Sequence, residues 1–280
     1  MSSSRPSRPA RLRAGLDRFR IEREIGAGAT GTVHLAVARS RMGAVKPGAR
    51  VAVKFLRQDL TGDERARKRF LREARAGLRV RHPNLVRIHA VEEASMLGQR
   101  VLYLVMDLVE GETLRRHLER HGPLAEGLVR SVGAQVGRAL AALHGAGLVH
   151  LDVKPENVTL TPDGRAVLMD LGFARLFRVA SESEDSTLFG GSLAYAAPER
   201  LRGRPVDPRA DLYSFGVSLY ELASGQRPFP GSDLASVLHG HLEKKPPPPS
   251  DVLPRISPFL DRLVLWCLEK APSARPTEAR

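Results

Sequence analysis

The chain has 280 residues, enough for one large domain or two compact lobes, and its 42% hydrophobic and 27% charged content is ordinary for a globular protein. Lys and Arg outnumber Asp and Glu by 44 to 31, a net +13 that points to nucleic acid, a membrane surface or acidic phosphate ligands as partners. The single cysteine, Cys267, excludes an intrachain disulfide, and no uninterrupted apolar run reaches the ~18 residues a membrane span requires.

Six arginines against one aspartate fill "SRPSRPARLRAGLDRFR", and helical apolar periodicity is absent there until Leu16. Residues 1–16 are therefore expected to be a disordered basic arm, without the apolar centre of a signal peptide. From 19 to about 108 the pattern is strand-like: "FRIEREIG", "TVHLAVAR", "RVAVKFL", "LVRIHAVEE" and "VLYLVMDLV" alternate or run apolar between turns. One helix interrupts them, "GDERARKRFLREARAGLRV", with Phe70, Leu71, Ala74 and Leu78 at helical spacing. Beyond residue 112 the helical period takes over in "ETLRRHLERHG" and "LAEGLVRSVGAQVGRALAALHGAG". Further helices are predicted over 208–224, 232–243 and 256–269, with "KKPPPPSDVLP" a rigid loop between the last two. Cys267 sits in the apolar "LVLWCLEK" and reads as a buried, inert thiol. The fold class is α+β, a small β-rich lobe followed by a larger α-rich one, and ligands usually sit in such clefts.

Four motifs carry chemistry. In "IGAGATGTV", Gly26, Gly28 and Gly31 let the backbone approach phosphate oxygens and aim N–H groups at them. A dinucleotide fold would follow this loop with a helix; here alternating β follows, and the Gly-Lys-Ser/Thr of a Walker loop is missing. In "VAVKFL", Lys54 alternates with Val51 and Val53, so it can face away from the core, and Glu73 on the next helix offers an ionic partner. In "HLDVKPENVTL", Asp152 suits a proton acceptor for an attacking hydroxyl, Lys154 a neutraliser of transferring charge, and Asn157 an oxygen donor to Mg2+. The apolar flanks argue against a solvated polar loop. In "VLMDLGFAR", Asp170 ends an apolar strand with Gly172 behind it, a setting suited to an oxygen-rich Mg2+ site.

Taken in order, and with "AAPE" (196–199) and "DLYSFGV" (211–217), these residues resemble the eukaryotic-type (Hanks-type) serine/threonine protein kinase family, in its bacterial form, from about residue 19 to 280. The resemblance implies a kinase domain over 17–280: an N-lobe (17–106) with one main helix, a hinge (107–111) and an α-helical C-lobe (112–280). It implies ATP and Mg2+ as cofactors and Ser/Thr-bearing proteins as substrates, with autophosphorylation expected. Ile25, Gly26, Ala27, Gly28, Ala29, Thr30, Gly31, Thr32 and Val33 would cover the phosphates, and Lys54, paired with Glu73, would hold them. Asp152 would be the catalytic base beside Lys154, and Asn157 and Asp170 would bind the metal. Met106 would be the gatekeeper, the backbone of Asp107 and Val109 would meet adenine, Val33 and Ala52 would roof the ring and Thr159 would floor it. Glu199 would pair with Arg275, and Asp211 would anchor the catalytic loop.

The departures carry expectations of their own. Leu151 stands where the family usually has an arginine that meets an activation-loop phosphate, so activity independent of that phosphate is expected. The loop offers Ser181, Ser183, Ser186 and Thr187 as acceptors, and Glu182, Glu184 and Asp185 as standing negative charge. Ser192 replaces threonine and Leu171 replaces phenylalanine. Gly77 inside the N-lobe helix, about 1 kcal/mol worse than alanine there, predicts a loosely held helix steadied by a partner or by a homodimer. A pseudokinase scaffold is the alternative, and intact Lys54, Asp152 and Asp170 speak against it. Nucleic acid is not expected as a partner, because the positive charge is not organised with stacking aromatics. No membrane segment is expected within the chain. A cytoplasmic location is expected, either free or as part of a longer membrane-attached protein.

Overall fold

The computed structural model describes residues 16–28, 31–57, 67–68, 71, 74–75, 77–96, 99–170, 175–176, 193–231 and 233–279. They group into two compact units, one from the described residues up to Leu71 with Ile88–Leu108, the other from those of 72–87 and from Val109 onward.

The first unit is an antiparallel sheet of β1 (Phe19–Gly28), β2 (Gly31–Ala38), β3 (Arg50–Leu56), β4 (Ile88–Met96) and β5 (Gln99–Asp107), in the order β1-β2-β3-β5-β4. Strand alternation sorts β3 into two faces. Val51 and Val53 join Phe19, Ala36, Tyr103 and Val105 in one apolar cluster, while Ala52 and Lys54 point to the opposite face. Leu16, the last residue of the expected arm, is fully buried in that same cluster and opens a 3-10 turn that leads into β1. A lone leucine after a run of arginines has no periodicity to announce this. β4 begins three residues later than the expected strand, because Leu85 instead bridges Leu168 in parallel within the second unit.

The second unit is helical around small sheets. Its elements are β6 (Glu112–Thr113), α1 (Leu114–His121), α2 (Glu126–Gly145), β7 (Leu148–Val149), β8 (Val158–Leu160), β9 (Ala166–Leu168), β10 (Arg175–Leu176), α3 (Pro198–Leu201), α4 (Pro208–Ser224), α5 (Leu234–Glu243), α6 (Pro249–Val252) and α7 (Pro258–Cys267). The sheets are β6-β8-β9 and β10-β7. Side-chain caps set the helix starts: Thr113, Asp207, Asp233 and Ser257 each accept an N–H of the first turn. α5 and α7 therefore begin two residues later than their apolar patterns alone predict. α6 corrects the expected rigid loop, since a proline at the first helical position has its φ already set for a turn of helix.

Every residue of α4 from Ala210 to Ser224 is buried. A helix buried on all sides must pair its polar groups internally. Ser214, Ser218 and Ser224 donate back to carbonyls four residues earlier, and Gly225 closes the helix at φ 84°. Gly216 lets α7 approach closely, since a Cβ there would sit 2.6 Å from the Cβ of Cys267. Cys267 itself is buried, and burial pushes its thiol up to about 12.

Candidate active site

The stretch between β7 and β8 turns on Asp211 of α4. Its Oδ2 accepts from the His150 amide at 2.7 Å and from His144 Nε2 at 2.8 Å, and its Oδ1 accepts from the Leu151 amide at 2.8 Å. Full burial alone would raise this carboxyl. The hydrogen bond from His144, the charges of His144 and His150 and the His150 amide together hold it below its ordinary value. The two backbone bonds keep Leu151 at φ 64°, a left-handed conformation that an L-residue with a bulky side chain rarely adopts. The Leu151 carbonyl accepts from Arg200, and His150 Nε2 donates to the Met169 carbonyl at 2.9 Å.

Asp152, 6% exposed, follows directly. Lys154 Nζ lies 3.0 Å from its Oδ2, and Asn157 Nδ2 donates to the same oxygen at 2.7 Å and to the Asp152 carbonyl at 2.8 Å. Both contacts fall on Oδ2. With its nitrogen committed to two acceptors, Asn157 presents its amide oxygen as the remaining donor atom. β8 pairs with β9 from Val158↔Leu168 to Leu160↔Ala166, and the Met169 amide donates to the Asn157 carbonyl at 2.7 Å. That register brings Asp170, at φ 58°, to within one residue of the position facing Asn157. Thr159 is buried on β8, opposite Thr113 and Val167. Asp152, Lys154, Asn157, Thr159 and Asp170 thus share one small region of the second unit, to which Val109 also belongs.

The other candidate residues among those described belong to the first unit. Ile25, Gly26, Ala27 and Gly28 end β1; Gly31, Thr32 and Val33 open β2. Val33 pairs with Gly26 on one side and Lys54 on the other, so glycine strand, valine and lysine form one row across the sheet. Ala52 pairs with Met106, and Asp107 ends β5, where its Oδ1 accepts from His89 Nε2 at 2.6 Å. Lys54 is 3% exposed. Ala29, Thr30, Glu73, Leu171, Ser192 and the acceptor-bearing stretch 181–187 lie outside the described residues.

The protein kinase domain family matches residues 19–280 of this chain. The chain belongs to that family. It is 40% identical over 271 residues to serine/threonine-protein kinase PkaA of Streptomyces coelicolor, covering 93% of this chain and 48% of PkaA. It is 38% identical over 259 residues to serine/threonine-protein kinase PknA of Mycobacterium tuberculosis, covering 92% and 58%. It is 36% identical over 271 residues to serine/threonine-protein kinase pkn3 of Myxococcus xanthus, covering 94% and 48%. The chain spans about half the length of these curated relatives.

Around this candidate site three groupings hold the second unit together. Arg275 reaches Glu199 with both guanidinium nitrogens, at 2.7 and 2.8 Å, and both side chains are almost wholly buried. Arg115 of α1 donates to Glu156 at 2.9 Å, to both oxygens of Glu221 at 3.1 and 3.0 Å, and to the Tyr195 hydroxyl. Burial would lower the Arg115 guanidinium, but Glu221, Tyr195 and Glu156 hold it above its ordinary value, while burial and then the Glu221 charge push the Tyr195 hydroxyl up. Buried His241 accepts from Tyr213 at Nδ1 and donates from Nε2 to the Ala194 carbonyl, both at 3.0 Å. Sequence reasoning missed Arg115 and His241. In "ETLRRHLERHG" nothing separates Arg115 from Arg116 or Arg120, and His241 has only its apolar α5 neighbours as a signal.

Proposed function

We propose that this chain is an ATP-dependent serine/threonine protein kinase that transfers the γ-phosphoryl group of Mg-ATP to Ser and Thr hydroxyls of proteins, its own included. The observation that carries the reading is the buried Asp152, with Lys154 and Asn157 both engaged at its Oδ2. Asp152 Oδ1 orients and deprotonates the incoming hydroxyl, and Lys154 offsets negative charge gathering on the transferred group. The backbone of residues 25–33 covers the phosphates, Lys54 with Glu73 holds them, and Met106, Asp107, Val109, Val33, Ala52 and Thr159 receive the adenine.

The donor set fits Mg2+: an amide oxygen from Asn157 and a carboxylate from Asp170 are hard oxygen ligands that leave room for phosphate oxygens. When bound there, the ion neutralises phosphate charge. Leu151 is buried, its amide taken by Asp211 and its carbonyl by Arg200, and it carries no cation to meet a phosphate. The kinase therefore switches on without activation-loop phosphorylation. Among the described residues no helix is long and apolar enough to cross a membrane. The use of ATP supports a cytoplasmic place of work, free or as part of a longer membrane-attached protein, with a partner or a second copy steadying the helix that contains Gly77.

The test is incubation with labelled ATP and Mg2+, wild type beside Asp152→Asn. Label on protein that disappears in the variant is expected; no label in either would make the chain a scaffold. Replacing Ser181, Ser183, Ser186 and Thr187 by alanine should leave turnover within tenfold, about 1.4 kcal/mol in barrier. A larger loss removes the reading of Leu151.

A further inference from the structure

Glu112, just before α1, and His117 and His121, within it, bring their side chains together along the helix, apart from the groups engaged around Asp152. Glu112 is fixed by β6, whose backbone pairs with β8 at Leu160. Thr113 caps the helix that follows, so the carboxylate is carried directly onto the first turns of α1. His117 and His121 are four residues apart and project from the same helical face, their rings 4.7 Å between centroids. One donor atom from each of the three residues lies within 4.8 Å of the others. His117 Nδ1 and Glu112 Oε2 are 3.5 Å apart.

That separation discriminates between two readings. A charge-assisted hydrogen bond between imidazolium and carboxylate closes to about 2.7–2.9 Å. Two ligands on one tetrahedral zinc, each about 2.0–2.1 Å from the ion, stand about 3.3–3.5 Å from each other. The His117–Glu112 edge has the second spacing. Arg120 Nη1 donates to the other carboxylate oxygen, Oε1, at 3.0 Å, which orients Oε2 toward the histidines as an outer-shell partner does. His121 is exposed at the helix end, and its ligand atom lies within 4.8 Å of those of Glu112 and His117.

We propose that Glu112, His117 and His121 form a binding site for a late first-row divalent cation, zinc in the first instance, with water in the fourth position. Two imidazoles and one carboxylate suit Zn2+, Co2+, Ni2+ or Cu2+, whereas Mg2+ and Ca2+ prefer all-oxygen shells. This site is separate from the Mg2+ ligands Asn157 and Asp170, and its occupancy staples residue 112 to the last turn of α1.

Zn2+ titrated calorimetrically into the whole nucleotide-free chain, with excess Mg2+ present, tests it. One saturable equivalent is expected, and His121→Ala and His117→Ala should each weaken it at least tenfold. Co2+ should give the visible absorption of a four-coordinate nitrogen–oxygen site, lost in His121→Ala. His121 is exposed, so that variant keeps the wild-type far-UV circular dichroism and separates loss of ligand from loss of fold. Absence of a saturable equivalent overturns the proposal. An equivalent of unchanged affinity in both histidine variants overturns it equally, because it would place the metal elsewhere.

Discussion

Replacing Asp211 by alanine tests whether the conformation of the catalytic loop is imposed from α4. The side chain is completely buried and accepts three hydrogen bonds, two of them from the amides of His150 and Leu151. Its removal leaves two buried N–H groups without acceptors, at about 1–3 kcal/mol each, so unfolding free energy should fall by about 2–6 kcal/mol. The same two amides hold Leu151 at φ 64°, a conformation costing about 1–2 kcal/mol for an L-residue. Once they are released, Leu151 should relax and carry the neighbouring Asp152 out of position. Urea unfolding followed by the fluorescence of the single tryptophan, Trp266, measures the first effect; phosphotransfer by the folded fraction measures the second. We expect kcat to drop at least tenfold with little change in the KM for ATP. The linked pH behaviour has a fixed sign. The folded carboxyl is held below its unfolded value, so its contribution is complete above about pH 3.9 and is lost as pH falls through the depressed folded value. The alanine variant should lack that acid limb. A variant within 1 kcal/mol of wild type that transfers phosphate normally would refute the anchoring role.

Three further outcomes are expected. His241 is held down to about 4, by burial first and by Lys270 second, against about 6.5 when unfolded. The unfolded chain therefore takes up this proton first, and about 3 kcal/mol of stability present above pH 6.5 should be lost on acidification to pH 4; His241→Gln should flatten that slope in melts recorded across the window. A Cβ on Gly31 would lie 1.8 Å from the Phe55 carbonyl oxygen, whereas one on Gly26 or Gly28 meets nothing within 4 Å. Gly31→Ala should thus lower the melting temperature, while Gly26→Ala and Gly28→Ala should keep it and raise the KM for ATP; equal melting temperatures in all three would refute the distinction. Arg115→Ala strips Glu156, Glu221 and Tyr195 of their shared donor and should destabilise by about 2 kcal/mol, with Arg115→Lys recovering only part because it lacks the planar fork; full recovery by lysine in urea melts would count against the fork.

Much of the site is legible along the chain because its chemistry is packed into short, nearly contiguous stretches. Asp152, Lys154 and Asn157 fall within six residues, and the β8–β9 register that brings Asp170 beside them spans a single tight turn. The alternation in "RVAVKFL" assigns Lys54 to the face opposite Val51 and Val53 without any tertiary information. What escapes are residues whose role exists only after distant segments meet. Leu16 has no apolar neighbours in sequence, yet it fills the core behind Phe19. Arg115 meets its partners 41, 80 and 106 positions away. Helix ends were displaced because capping side chains, not the apolar period, decide where the first N–H finds an acceptor.

α4 shows how the polar residues of a fully buried helix hold the loops around it. In "DLYSFGVSLYEL" the polar residues Asp211, Ser218 and Glu221 are spaced along an otherwise largely apolar helix. Positions seven and ten residues apart do fall on one side of a helix. That side meets the loops instead of water: Asp211 takes the amides of 150 and 151, Ser218 Oγ, which donates to the Ser214 carbonyl, lies 3.4 Å from the Val153 carbonyl, and Glu221 takes Arg115 and Tyr195. Buried donors and acceptors left unpaired are expensive, so each loop segment is held by the need of α4 to satisfy its own polar stripe, and α4 by the need of the loops. Stability and the placement of Asp152 therefore rest on the same hydrogen bonds. Substitutions along this stripe should lower both together, whereas substitution of Lys154, which touches Asp152 but not α4, should lower phosphotransfer while leaving the unfolding free energy nearly intact.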